Sequence, residues 1–294
     1  MKAHRPSTPI SARFPWLFLG LTYGLSWAIW VPYILSGKTV DSPVPALVIA
    51  CSVPSLVGIL LTHLTSDKAD RNDFWKRVVS FKLIGLRWFA VIIGLFPFLL
   101  VLGLLADNLF GGALPPLRGA AQILTRPGAL MLFIGANIIG GPLGEELGWR
   151  GFALDRLQNK WNALVASLVL GIIWAAWHLP LFFIKGTPQQ GMGFGTFLFW
   201  LWSLQVVSLS VFTTWVYNNT QRSILSAVFM HFMFNSTYGI TQQDGLPLPP
   251  STFAANTVII AVGAVMVIGL WGSKTMTFRG DRQLTAGMTD EQKA

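Results

Sequence analysis

Gly141-Pro142-Leu143-Gly144-Glu145-Glu146-Leu147-Gly148-Trp149-Arg150-Gly151-Phe152 closes a long apolar run with two adjacent carboxylates and an arginine. The other apolar runs of the chain contain almost no charge. A charged side chain at the centre of a membrane helix costs roughly 2.5–3.5 kcal/mol on insertion scales. The cluster is therefore either a solvated helix end at the membrane surface or a site that uses its charges. Spacing divides them. Glu146 and Arg150 stand four apart with the acid first, the favourable order for an ion pair on a helix. Glu145 points about 100° away around the helix and has no such local partner. Just upstream, Gly140-Gly141-Pro142 predicts a bend, because proline removes a helix hydrogen-bond donor.

The rest of the chain gives this stretch its setting. Of 294 residues, 53% are hydrophobic and only 11% charged, against about 25% charged in soluble domains. The composition predicts an all-α, polytopic membrane protein with the bilayer as its solvent. About eight apolar runs have the length of a membrane helix: 14–35, 43–64, 88–105, one from 128 into the Glu-Glu stretch, 162–183, 194–217, 223–240 and 252–271. The first is longer than a signal-peptide core and reads as a retained span. A basic loop, 65–87, separates the second and third runs. Sequence divides as three N-terminal helices (1–127), a core (128–240), and a last helix with a polar tail (241–294).

The net charge of +9 does not point to nucleic acid, because the basic residues lie between apolar runs without interleaved aromatics. With eight spans, 16 of the 21 Lys and Arg fall on one face and four on the other, Arg150 lying within a span. The positive-inside rule then places both termini in the cytoplasm of a cell-membrane protein. Cys51, the one cysteine, reads as a small buried hydrophobe. Gly191-x-Gly193-x-Gly195 reads as a turn, since no strand precedes it as a nucleotide loop requires.

Few other polar groups interrupt the spans: Asn137 in the fourth, His178 in the fifth, and His231 with Asn235 in the seventh. His231 and Asn235 are four apart and share a helix face. At about 1.5 Å per residue, Glu145, His178, His231 and Asn235 lie roughly 16, 24, 14 and 20 Å from the cytoplasmic ends of their spans. Tilt absorbs that spread, so groups from three helices can meet around a polar intramembrane cavity.

Glu145-Glu146-x-x-x-Arg150, then Trp174-x-x-x-His178, then His231-x-x-x-Asn235 resemble, in order, the motifs of the CPBP family. These are the CAAX-prenyl-protease-like and bacteriocin-processing (Abi) intramembrane endopeptidases. The resemblance covers about 128–240; Trp174 stands where phenylalanine is usual. It implies that Glu145 activates the attacking water, His178 helps hold it, and His231 and Asn235 serve the oxyanion. Glu146 and Arg150 would support the geometry, with Trp174 as an aromatic wall. The substrate would be a protein or peptide arriving from membrane or cytoplasm, with no cofactor.

The residue chemistry is compatible with this. Hydrolysis without a nucleophilic side chain needs a base, a placed water and oxyanion donors. No Gly-x-Ser-x-Gly occurs, and Cys51 has no evident catalytic partner. Three alternatives stay open at this point. Glu145, His178 and His231 could hold zinc, although no His-Glu-x-x-His occurs. The fold could act without catalysis, as a bacteriocin-immunity or scaffold protein. Intramembrane acids also serve transporters, although no internal repeat is visible.

Overall fold

An apolar run of about 20 residues in lipid must satisfy its own backbone hydrogen bonds, and helix is the solution available to a single segment. The computed structural model of the protein describes residues 15–40, 45–114, 118–241 and 248–277, with the side chains of 118, 119 and 122 excepted. The described residues are mostly helical and contain no strand. The long helices are α1 (Trp16–Leu35), α2 (Pro45–Thr65), α4 (Leu86–Leu109), α9 (Ala163–Trp177), α11 (Phe197–Asn219) and α13 (Pro250–Trp271). Between α2 and α4 lies α3 (Lys68–Val79), the helix of the basic loop, and α5 (Arg118–Leu124) precedes the fourth span. A short α10 (Pro188–Met192) joins α9 to α11, followed by Gly193 and Gly195 at φ 79° and 76°, left-handed turn conformations that glycine suits.

Seven stretches among the described residues are long and apolar enough to cross a membrane. The eighth expected span, 223–240, is α12 (Ile224–Gly239), whose 16 residues fall short of a full crossing length. The physical reason is its position. Its first residue, Ile224, is buried, as are Ser236 and Thr237 in its last turn, and it packs against α11, α4 and α7. Leu56, Ile93, Met131, Leu132 and Val265, by contrast, are exposed on the helices that face outward, where lipid is their solvent.

The fourth span, 127–158, is broken as Gly-Gly-Pro predicts. α6 (Pro127–Ile139) ends before Gly140, and Pro142 opens α7 (Pro142–Gly148). A π-helical turn, Trp149–Leu154, follows, and α8 (Asp155–Gln158) completes it. The two parts have opposite environments. α6 buries no residue, whereas α7 buries nearly all of its own.

Close approach of α2 places α7. A Cβ on Gly148 would stand 2.1 Å from the Pro54 carbonyl oxygen, and one on Gly58 would stand 2.7 Å from the Gly148 Cα. Small residues at such a contact let backbones touch, a common way of joining helices in lipid. Ser55 Oγ seals the contact by donating to the Leu143 carbonyl at 2.7 Å. α1 and α2 thus pack directly on the 128–240 core.

One face of the bundle is closed by a polar network. Asp155 accepts from Arg77 Nη1 at 3.1 Å, from the Tyr217 hydroxyl at 2.8 Å, and from both Nε and Nη2 of Arg222. This joins α3, α8, the end of α11 and the turn before α12. The charge of Asp155 beside it holds the Arg222 pKa above its ordinary value.

Candidate active site

The start of each helix fixes where its site residue falls. Asn162 caps α9 by accepting from the Val165 amide at 2.9 Å, and Ser223 caps α12 by accepting from Ser226 at 3.1 Å. From those points Trp174, His178, His231 and Asn235 follow by helical register. α1 braces the far end of α9: the Tyr23 hydroxyl donates to the Ile173 carbonyl, and Trp27 Nε1 to the Trp177 carbonyl at 3.0 Å. α9 ends at His178, its C-cap, because Pro180 follows.

Glu145 and His231 are 3% and 4% exposed, and Glu146 and Arg150 are fully buried. The two carboxylates are held differently. Glu146 Oε1 takes Arg150 Nη1 at 2.8 Å and also His231 Nδ1 at 2.8 Å. Glu145 Oε2 takes the Trp174 indole N–H at 2.6 Å. The Trp174 ring also lies 4.6 Å from the Arg150 guanidinium carbon and edge-on to His231 at 5.0 Å. One indole therefore touches three members of the cluster.

His231 Nδ1 faces Glu146, because α12 presents its histidine to the Arg150 side of α7. Glu145, which has no partner on its own helix, takes the Trp174 indole N–H from α9. The pairing of Glu146 with Arg150 is as the spacing predicts.

His178 and Asn235 are half-buried. His178 Nδ1 lies 2.8 Å from the Trp174 carbonyl. A carbonyl only accepts, so Nδ1 carries the proton and Nε2 presents a lone pair. Asn235 comes to Glu145 across Gly141. A Cβ on Gly141 would stand 3.3 Å from Asn235 Nδ2, 3.4 Å from Glu145 Oε1 and 3.8 Å from His231 Cε1. The bare glycine keeps open a space that an acid oxygen, an amide and an imidazole share.

Beside this space lies a cavity of about 490 Å³ that includes Asn235, Asn137 and Trp202 in its lining. Asn137 donates to its own helix, at the Phe133 carbonyl. Trp202 packs edge-on to His178 at 5.4 Å. Sequence reasoning passed over Trp202, Gln205 and Tyr238 of this lining, since aromatic and amide residues in a span carry no motif. Among the described residues, no three His, Cys, Asp or Glu side chains group closely enough to hold a metal ion.

Fold and cluster together define a multi-pass, all-α membrane protein with an acid–histidine–amide centre buried in its spans. Residues 127–237 match the family model described as type II CAAX prenyl endopeptidase, Rce1-like. Over 266 residues the chain is 26% identical to CAAX prenyl protease 2 of Methanococcus maripaludis, covering 86% of this chain and 93% of that protein. By both matches the chain is similar to the CAAX-prenyl-protease-like membrane proteins, the family model covering 127–237.

Proposed function

We propose that the protein is an intramembrane endopeptidase that uses Glu145 to activate water. The observation that carries this is the space at Gly141, where Glu145 Oε1 stands beside Asn235 Nδ2 and the His231 ring. Water there gives its proton to Glu145 as its oxygen attacks the scissile carbonyl carbon, with the His178 Nε2 lone pair orienting it. The oxyanion that forms is met by Asn235 Nδ2 and by His231 as an imidazolium, whose Nδ1–H donates to Glu146 and whose Nε2–H donates to the oxyanion. Such donors are worth about 2.7–4 kcal/mol each in comparable sites. When the C–N bond breaks, Glu145 returns the proton to the leaving amine. Glu146 and Arg150 position this apparatus: they hold His231 by its Nδ1, which turns Nε2 to the substrate. By its family, the substrate is a membrane-associated protein or peptide cut in CAAX-processing fashion. We read the excess of lysine and arginine on the α3 side as marking that face cytoplasmic.

The test is cleavage of a fluorescence-quenched, farnesylated CAAX peptide by protein reconstituted in liposomes. Glu145→Gln keeps shape and loses the base, so cleavage is expected to fall by at least about a thousandfold, within the range for a positioned base. Wild-type-like cleavage by that variant overturns the reading. Treatment with 1,10-phenanthroline is expected to leave the rate unchanged. Inhibition that zinc reverses would move Glu145 from base to ligand.

A further inference from the structure

The end of α9 lacks hydrogen bonds of its own just where the centre needs it held. Pro180 has no N–H to give, and the Leu181 amide goes to the His178 carbonyl at 2.9 Å. The Trp177 carbonyl therefore receives nothing from the amide four residues on, the usual donor in a helix. An unsatisfied carbonyl among apolar spans is costly. His178 follows directly as the C-cap, and its Nδ1 bonds back to the Trp174 carbonyl one turn earlier. Slack in this last turn would pass straight to the imidazole.

The missing donors come from α1. Trp27 Nε1 donates to the Trp177 carbonyl at 3.0 Å, and one turn earlier the Tyr23 hydroxyl donates to the Ile173 carbonyl. The two bonds step together, four residues along each helix, so they fix both the rotation and the height of α9 against α1. Trp30 continues the same face of α1. Its ring packs on that of Trp177 with centroids 4.9 Å apart, and both side chains are fully buried. The backbone of α1 lies against α2 and the 3-10 turn Leu179–Phe183, so these long aromatic side chains make the link to α9. A separate bond fastens α1 to α2: Ser26 Oγ donates to the Ala50 carbonyl at 2.9 Å. One side of α1 is thus anchored, and another holds the end of α9.

From this we infer that Tyr23 and Trp27 are positioning residues of the centre: by holding the last turn of α9 they set where His178 Nε2 meets the attacking water. α1 lies outside 127–237, the stretch that the family model matches, so the working parts of the centre extend beyond it. The inference rests on the hydrolytic reading above and adds the segment that fixes His178.

The experiment uses the full chain in liposomes and the same farnesylated peptide, with rates taken per folded molecule. Trp27→Phe and Tyr23→Phe each keep a ring and delete the donor. Each is expected to lower kcat by about tenfold, the scale of one hydrogen bond, with KM within about twofold of wild type. Ser26→Ala removes a buried hydrogen bond of α1 to α2 instead. It is expected to lower the unfolding temperature comparably and to keep kcat within about twofold. Because α1 acts through His178, His178→Ala must lose at least as much kcat as Trp27→Phe. Should Trp27→Phe fail to insert, Tyr23→Phe carries the same test. Wild-type kcat in both donor deletions overturns the inference. So does an equal loss in Ser26→Ala, a loss that lies in KM alone, or a smaller loss in His178→Ala. The two readings fail separately: cleavage that survives Glu145→Gln removes the chemistry, whereas Glu145-dependent cleavage indifferent to both donor deletions removes only the positioning.

Discussion

Trp174 is the residue on which most of the centre converges. Its indole N–H anchors Glu145 Oε2, and its ring faces both Arg150 and His231. Trp174→Phe keeps an aromatic ring and deletes only the N–H. A hydrogen bond to a charged group contributes about 1.5–3 kcal/mol, so kcat is expected to drop by about tenfold or more while KM holds. An unchanged kcat would show that the indole is a wall and nothing else. Legibility at this scale followed distance along the chain. Glu146 with Arg150 could be read because four residues on a helix fix their geometry. The choice of His231 between two adjacent acids could not, because it depends on how α12 rotates against α7.

At the scale of elements, the fourth span carries the design. Gly-Gly-Pro announced its break, and the break separates a lipid-facing α6 from a buried α7. The π turn at Trp149–Leu154 had no signal in the sequence, since its residues are ordinary for a helix. It widens the turn that holds Arg150, a pattern common at functional sites. Gly148 is the glycine that α2 requires, its Cα lying too near the Pro54 carbonyl for a side chain. Gly148→Ala must push α2 and α7 apart. Overpacking of this kind typically costs about 1–3 kcal/mol, and the same shift moves Glu145 and Glu146. A lowered unfolding temperature in detergent, together with lost cleavage in the molecules still folded, is the expected pair of results. Normal stability would mean that the helices separate easily and that their contact does not set the site.

For the whole molecule, composition and the spacing of apolar runs made the bundle legible, and one face's excess of lysine and arginine suggested its orientation. The brevity of α12 was not legible, because apolar length alone does not reveal a helix enclosed by protein. Nor did the sequence reveal Asp155 as the closure of the α3 face, where Arg77, Tyr217 and Arg222 arrive from distant segments. Asp155→Asn leaves two guanidinium groups without their shared acid. Loss of one partner from a buried pair costs about 3–5 kcal/mol, but the Arg222 side chain is 41% exposed and water screens it. A loss of about 2–3 kcal/mol, read as a lower unfolding temperature, is therefore expected. The Arg222 pKa is raised in the folded protein, so this contribution is fully present below the ordinary arginine value and fades only as pH climbs through the raised one. The gap between wild type and variant should accordingly stay constant from about pH 7 to about pH 10. Asp155 lies ten residues from Glu145, about 15 Å along the span, so cleavage per folded molecule should stay near wild type. Equal unfolding temperatures would show that the network is a consequence of the packing on this face and not one of its supports.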